Sequence, residues 1–388
     1  MVIPRSGRIW VLAAFAAGSA AAQSPVVVGQ TISLHSGILK EDRLLFVAKP
    51  AGYEDGKEGY PVLYLLDGET HFPYASGMAA FLAASDRMPN MIVVGIASGT
   101  GEQRTRDLTP PSTAELDNRF SPGNGGAERF LAFVAGELIP FVERSYRTRP
   151  YRILFGHSFG GLFAVYSLIH RPALFQAYLL ADPSVHWNNG RVNVEAQEFL
   201  RTTKTLQADV YLAGSGDSGG PSTPLRSLSD RLEKATPAGF RWKFDWIQKD
   251  DHASIPLPAI YNGLENIFED WRLSDPVEWF DRGGLPAIHQ RFRDAGLRHG
   301  YPERTTPPFT ISLVVAALLR AGRLEDAVKV LLDDPKTYPP PWNQLDAVAR
   351  GYEARGDTER AVRYYRQSLE RNPGNDFARK KIAELESR

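Results

Sequence analysis

The sequence predicts a mostly parallel, doubly wound α/β domain followed by a small all-α tail. Short, nearly unbroken apolar runs recur between Tyr60 and Ile247, as strands covered on both faces require. Segments with helical periodicity separate those runs, and strand–helix alternation is the signature of a parallel sheet. After about Asp275 the strand candidates cease and a helical repeat begins.

The strand candidates are Gln30–Leu39, Arg43–Ala51, Tyr60–Leu66, Met91–Ala97, Arg152–Phe155, Ala177–Leu180, Asp209–Ala213 and Phe240–Ile247. Between them Ala127–Tyr146, Leu162–Ile169, Val194–Thr203, Leu225–Lys234 and Pro258–Trp271 carry apolar residues at helical spacing. Sheets of this class bind ligands at the carboxyl ends of their strands.

In the tail, Gly322 and Gly356, Ala327 and Ala361, Leu318 and Tyr352, Leu331 and Tyr365, and Pro339 and Pro373 each recur at one period. That period resembles the roughly 34-residue helix–turn–helix of tetratricopeptide repeats. Leu345–Pro373 is similar throughout, and Ile311–Pro339 departs with Asp334 at a usually small position. Two repeats do not stand alone, so they are expected to pack on the preceding domain through a helix at Leu285–Arg298 and to offer a surface to a protein partner.

The chain has 388 residues, 43% hydrophobic and 23% charged, with 45 basic and 45 acidic side chains. A net charge of zero gives no support for a nucleic-acid partner. Arg5 and Arg8 precede an apolar stretch, Ile9–Ala17, and Ala20-Ala21-Ala22 stands before Gln23. This pattern predicts a cleaved signal peptide over 1–22, hence a periplasmic or secreted protein without stable membrane insertion. There is no cysteine, which excludes disulfides, thiolate catalysis and a lipidated N-terminus. The expected organisation is a leader over 1–22, an α/β domain over 23–274, a helical connector over 275–307 and repeats over 308–388.

The chemistry concentrates at Ile153-Leu-Phe-Gly156-His157-Ser158-Phe159-Gly160-Gly161-Leu162, where a strand runs through G-x-S-x-G into a helix. This is the strained elbow that exposes a nucleophilic serine in α/β-hydrolases. Such a hydroxyl needs a base, which in this fold follows later in the chain in the order serine, acid, histidine. Of eight histidines, His252 follows the last strand and precedes a helix. His157 lies within the elbow, His170 at a helix end, and His289 and His299 in the tail. The expected acid is Asp217, after the strand Asp209–Ala213, with Asp182 one strand earlier as the alternative. The N–H groups of Phe159 and Glu69 are expected to form the oxyanion hole.

Several blocks together resemble the putative-esterase family of α/β-hydrolases, closest to its siderophore-esterase-like branch. They are Tyr60-Pro-Val-Leu-Tyr-Leu-Leu-Asp-Gly68, Arg104-Thr-Arg-Asp-Leu-Thr-Pro110, Gly125 to Phe141, the elbow, and His252-Ala-Ser-Ile-Pro256. The resemblance implies carboxyl-ester hydrolysis through an acyl-enzyme, on a small-molecule ester, with no metal or cofactor. It also implies substrate contacts by Arg104 and Trp187. The block Asp182-Pro-Ser-Val-His186-Trp187 departs from the Ser-Pro-Ser usual in the family, which leaves substrate and acid open. A binding protein that works through its repeats, and an acyltransferase, are the competing functions.

Overall fold

A computed structural model describes residues 25–387 apart from 221–222, 235–236 and 334–337. The predicted leader, 1–22, and Asp334 lie outside the described residues.

The strands are β1 (Gln30–Ser36), β2 (Glu41–Ala48), β3 (Tyr60–Leu65), β4 (Ile92–Ile96), β5 (Thr148–His157), β6 (Ala177–Ala181), β7 (Thr205–Ser215) and β8 (Ala238–Ile247). They form one sheet in the order β1-β2-β4-β3-β5-β6-β7-β8. The β1–β2 and β2–β4 pairs are antiparallel and every later pair is parallel. The central strands are apolar along their whole length because both faces are covered: β3, β4 and β6 are buried at every position.

The helices of this region are α1 (Gly68–Ala84), α2 (Gly101–Leu108), α3 (Glu115–Phe120), α4 (Ala127–Phe133), α5 (Ile139–Ser145), α6 (Phe159–His170), α7 (Trp187–Thr202), α8 (Pro224–Glu233) and α9 (Pro256–Ile267). The long helix expected over Ala127–Tyr146 is interrupted by a π turn at Val134–Leu138. There Glu137 turns back to accept from Ile38 N at 3.1 Å and from the Ser36 hydroxyl. One core lies on the α6 side of the sheet, around Leu154, Phe163 and Tyr178. The other lies on the α1–α9 side, around Phe72, Phe155 and Leu264.

The tail comprises α10 (Pro276–Asp281), α11 (Gly284–Arg298), α12 (Pro308–Arg320), α13 (Leu324–Asp333), α14 (Trp342–Ala354), α15 (Thr358–Arg371) and α16 (Asp376–Glu386). These helices share a core that includes Ile288, Phe292, Val314, Leu331, Val348 and Tyr365. Gly322 and Gly356, one repeat apart, both adopt φ near +74° at the turn inside each helical pair. Arginines from both sides bond the connector to the α/β domain. Arg149 Nη1 donates to Gly300 O at 2.8 Å and Arg304 Nη2 to Trp271 O at 2.7 Å, while buried His299 sits 2.7 Å from Asp270 Oδ1. Among the described residues no helix is long and apolar enough to cross a membrane.

Candidate active site

Three neighbouring strands end in residues with left-handed or strained backbone: Asp67 after β3 (φ 52°), Ser158 after β5 (φ 57°) and Asp182 after β6 (φ 41°). Such conformations cost about 1–3 kcal/mol each and persist where the surroundings enforce them. At Ser158, with ψ −117°, the enforcement is visible. A Cβ on Gly156 would meet Gly160 O at 2.1 Å, and one on Gly161 would meet Pro183 Cα at 2.8 Å. Only glycine lets β5, α6 and the loop after β6 converge this closely. The Ser158 side chain is therefore presented at the carboxyl edge of the sheet, half-buried, with its backbone N–H bonded to Ala181 O at 3.1 Å.

His252, after β8, presents Nδ1 to Asp182 Oδ2 at 3.1 Å. Asp182 is 2% exposed. Its other oxygen accepts from Ser215 N at 2.8 Å and from the Ser218 hydroxyl. Burial alone would raise the Asp182 carboxyl, but bonds from His252, Ser215 and Ser218 together hold it below the usual carboxylate value. The carboxylate paired with His252 is therefore not Asp217. That residue is exposed on a tight turn in which Ser218 N and Gly219 N both return to Ser215 O. The turn after β7 supplies hydrogen bonds to Asp182 rather than a carboxylate to His252. Sequence order admits either strand end, and only the fold distinguishes them.

His157 completes the bracket round His252. Its ring stands 4.6 Å from that of His252, centroid to centroid, and its Nε2 lies 2.8 Å from His252 O. Burial, with the neighbouring His252 and His71, lowers His157 to about 4, so its ring is neutral near pH 7. Burial likewise lowers His71 to about 4. Ser158 Oγ faces Ser184 Oγ at 3.3 Å and makes no hydrogen bond to His252.

The backbone N–H groups of Glu69 and Phe159 lie in the first turns of α1 and α6. Neither donates to a backbone carbonyl, as expected of N–H groups at helix starts. The two starts are adjacent, since a Cβ on Gly160 would stand 3.4 Å from Asp67 Oδ2. The two side chains expected to meet substrate are otherwise engaged. Arg104 gives Nε and Nη2 to Asp67 at 2.6 and 2.9 Å. Trp187 is buried, donates Nε1–H to Pro110 O at 2.9 Å and sets its ring edge-on to Phe159 at 5.3 Å. The left-handed run Asn188-Asn189-Gly190 turns the chain there, and the Asn188 amide oxygen accepts from Thr113 N at 3.1 Å. That bond draws the 110–113 loop over the tryptophan. Among the described residues no cluster of three or more His, Asp or Glu side chains is arranged to hold a metal.

Comparisons with known proteins agree with this architecture. Residues 36–227 match the family described as Putative esterase, and residues 342–385 match the tetratricopeptide repeat. The ferri-bacillibactin esterase BesA of Bacillus subtilis is 31% identical over 238 residues, covering 56% of this chain and 81% of that protein. A siderophore triacetylfusarinine C esterase of Aspergillus fumigatus is 28% identical over 268 residues, covering 60% and 90%. Among solved structures, an IroE-like serine hydrolase from Shewanella oneidensis superposes with TM-score 0.61 at 27% identity, over 78% of this chain and 97% of that one. An uncharacterised protein of Capnocytophaga ochracea shares the fold over 92% of this chain, with TM-score 0.64 at 17% identity. The ester-hydrolase relatives, the mostly parallel sheet and the helical tail converge: the chain belongs to the putative-esterase family of α/β-hydrolases and carries tetratricopeptide repeats at its C-terminal end.

Proposed function

We propose that this protein is an exported serine esterase in which Ser158 is the nucleophile, His252 the general base and Asp182 the acid that orients it. The observation that carries this is the His252 Nδ1–Asp182 Oδ2 pair at 3.1 Å beside the strained Ser158. An anion on Nδ1 fixes the tautomer that leaves the Nε2 lone pair free to take a proton. Proton transfer requires the Ser158 hydroxyl to leave Ser184 and reach that nitrogen, and such contacts commonly tighten when substrate binds.

In the first half-reaction Ser158 Oγ attacks the ester carbonyl carbon as its proton passes to His252 Nε2. The carbonyl oxygen becomes an oxyanion received by Phe159 N–H and Glu69 N–H. Collapse breaks the bond to the alkoxy oxygen, which leaves as an alcohol with the proton from His252. Water then attacks the acyl-enzyme, gives a proton to His252, and the second collapse releases the carboxylic acid and restores the Ser158 hydroxyl. The His252 side chain is 52% exposed, which favours water over another acyl acceptor.

The esters of siderophore lactones are the substrate class proposed first, because relatives of this chain act on siderophores. Export rests on the basic, apolar and small-residue pattern of 1–22. We place the α/β domain over 23–274, the connector over 275–307 and the repeats over 308–388, the last offering a surface to a protein partner. Labelling with a fluorophosphonate probe tests the nucleophile. The parent is expected to label at Ser158 and Ser158→Ala to be inert; equal labelling of both removes the assignment. N-terminal sequencing of the exported protein tests cleavage before Gln23.

A further inference from the structure

Building on Ser158 as the nucleophile, we propose that Arg104 and Asp67 form the strut that holds the oxyanion hole in register, so that Arg104 is a positioning residue and not a ligand for a substrate anion. Asp67 occupies the N-cap position of α1, where an aspartate ordinarily bonds its own helix through its side chain. Here it makes no such bond. Its left-handed backbone lets the main-chain oxygen receive Thr70 N at 3.0 Å and His71 N at 3.1 Å, while the carboxylate turns to the Ser98 hydroxyl and the Arg104 guanidinium. A carboxylate folded back over the helix start would compete for the N–H of Glu69. Drawn away, it leaves that donor open to a developing oxyanion.

Arg104 fastens the other side as well. Its Nη2 lies 3.4 Å from His157 O, the carbonyl immediately before the nucleophile. Its guanidinium carbon stands 5.6 Å from the centroid of the Phe159 ring, whose residue supplies the second donor. One planar group thus spans the β3–α1 turn and the β5–α6 elbow. A lysine carries the same charge but not the fork. Asp67 is 7% exposed, and its charge already neutralises the guanidinium, so little is left to attract an anionic substrate.

The hypothesis is tested with Arg104→Lys, Arg104→Met, Asp67→Asn and the Arg104→Met/Asp67→Asn double variant. The substrates are two p-nitrophenyl esters, neutral acetate and anionic succinate monoester. Thermal melts select variants that remain folded, and Arg104→Lys and Asp67→Asn are the mild pair should the methionine variant unfold. Loss of register is expected to lower kcat about 10–100-fold on both esters with KM nearly constant. The double variant is expected to be no worse than the poorer single one. Inhibition by a boronic acid, whose tetrahedral adduct uses the same donors, should weaken by the same factor. A rise in KM confined to the succinate ester, with kcat intact, makes Arg104 a substrate ligand and overturns the strut. Ser158→Ala is measured alongside. If it retains parental turnover, the nucleophile assignment falls and the strut with it; if it is inert while the Arg104 and Asp67 variants keep parental kcat, the strut alone falls.

Discussion

His157 holds the backbone of His252: its Nε2 lies 2.8 Å from the carbonyl oxygen of His252, and since a carbonyl only accepts, His157 carries its proton on Nε2. The residue before Ser158 therefore tethers the loop that bears the proposed base, across two strand ends that are not neighbours in the sheet. His157→Phe keeps an aromatic ring under His252 and deletes only the donor. One neutral hydrogen bond is worth about 0.5–1.5 kcal/mol, so kcat on a p-nitrophenyl ester is expected to fall by up to about 10-fold with KM little changed. Parental kcat in a folded phenylalanine variant would show that the tether does not position His252.

The same burial makes the fold sensitive to acid. His71 and His157 sit at about 4 in the folded protein against an ordinary value near 6.5. Between those limits the unfolded chain binds more protons than the native one, so stability falls as pH drops through that window. Each imidazole contributes a slope of at most about 1.4 kcal/mol per pH unit. Urea midpoints are expected to decline between pH 6.5 and 4, and to decline less steeply in His157→Phe. A flat profile over that range would contradict neutral burial of these rings.

Asp182 and Asp217 are separated by one experiment. Asp182→Asn leaves the His252 contact in place but can favour the wrong imidazole tautomer, an effect worth about 10⁴ in a serine protease triad. The expected loss of kcat is about 10³–10⁴-fold, with KM nearly unchanged. Asp217 is exposed and pairs with none of these groups, so Asp217→Asn is expected to stay within about 2-fold of the parent. Reversed results would return the acid to the turn after β7.

Much of this arrangement is legible in the residues. Apolar runs mark the central strands β3 to β7, since strands buried on both faces leave little room for polar residues, while β1, β2 and β8 toward the sheet's edges mix polar and apolar positions. The repeat period marks the turns at Gly322 and Gly356. Helix α1 escapes sequence reading for a physical reason. It buries His71, Phe72, Ala75, Ala79 and Leu82, but its exposed positions include Gly77, Ala80 and Phe81, so no polar stripe contrasts with the buried one, and Pro73 lies inside it. Asp182 rather than Asp217 is hidden for another reason. Both follow a strand, and the choice depends on how far β6 and β7 stand from the loop after β8. For Arg104 and Trp187 a guanidinium or an indole in a pocket-forming block reads the same whether it faces substrate or braces its neighbours; the fold adds the bonds to Asp67 and Pro110.

Gly161 separates two halves of the site. A methyl group there would stand 2.8 Å from both Cα and Cβ of Pro183, the residue after Asp182. Backbone and a proline ring yield little, so Gly161→Ala is expected to push the Asp182 turn away from Ser158. Overpacking of this kind costs about 1–3 kcal/mol of stability. A larger relative loss is expected in turnover, about 100-fold, because displacement near 1 Å is costly at a reacting centre. Thermal melts and kcat measured together check this; a stable variant with full turnover would mean that the loop after β6 relaxes freely.

The connector, whose α11 packs into the core of the helical tail, is also bonded to the end of the α/β domain. Asp270, just after α9, accepts from His299 at 2.7 Å and faces Arg298 and Arg241, while Arg304 lies over the Trp271 ring at 3.3 Å. Removing the carboxylate leaves the buried His299 ring without its hydrogen-bond partner, a loss that typically costs about 1–3 kcal/mol. Asp270→Ala is therefore expected to lower the melting temperature by several degrees. Limited proteolysis of that variant is expected to cut between Trp271 and Pro308 sooner than in the parent, while turnover of a small ester at 25 °C is retained until unfolding begins. Ser158 and His252 lie at the carboxyl ends of the strands, whereas His299 packs on Tyr151, at the start of β5. Loss of turnover in a folded, protease-resistant Asp270→Ala protein would instead require coupling from one end of the sheet to the other.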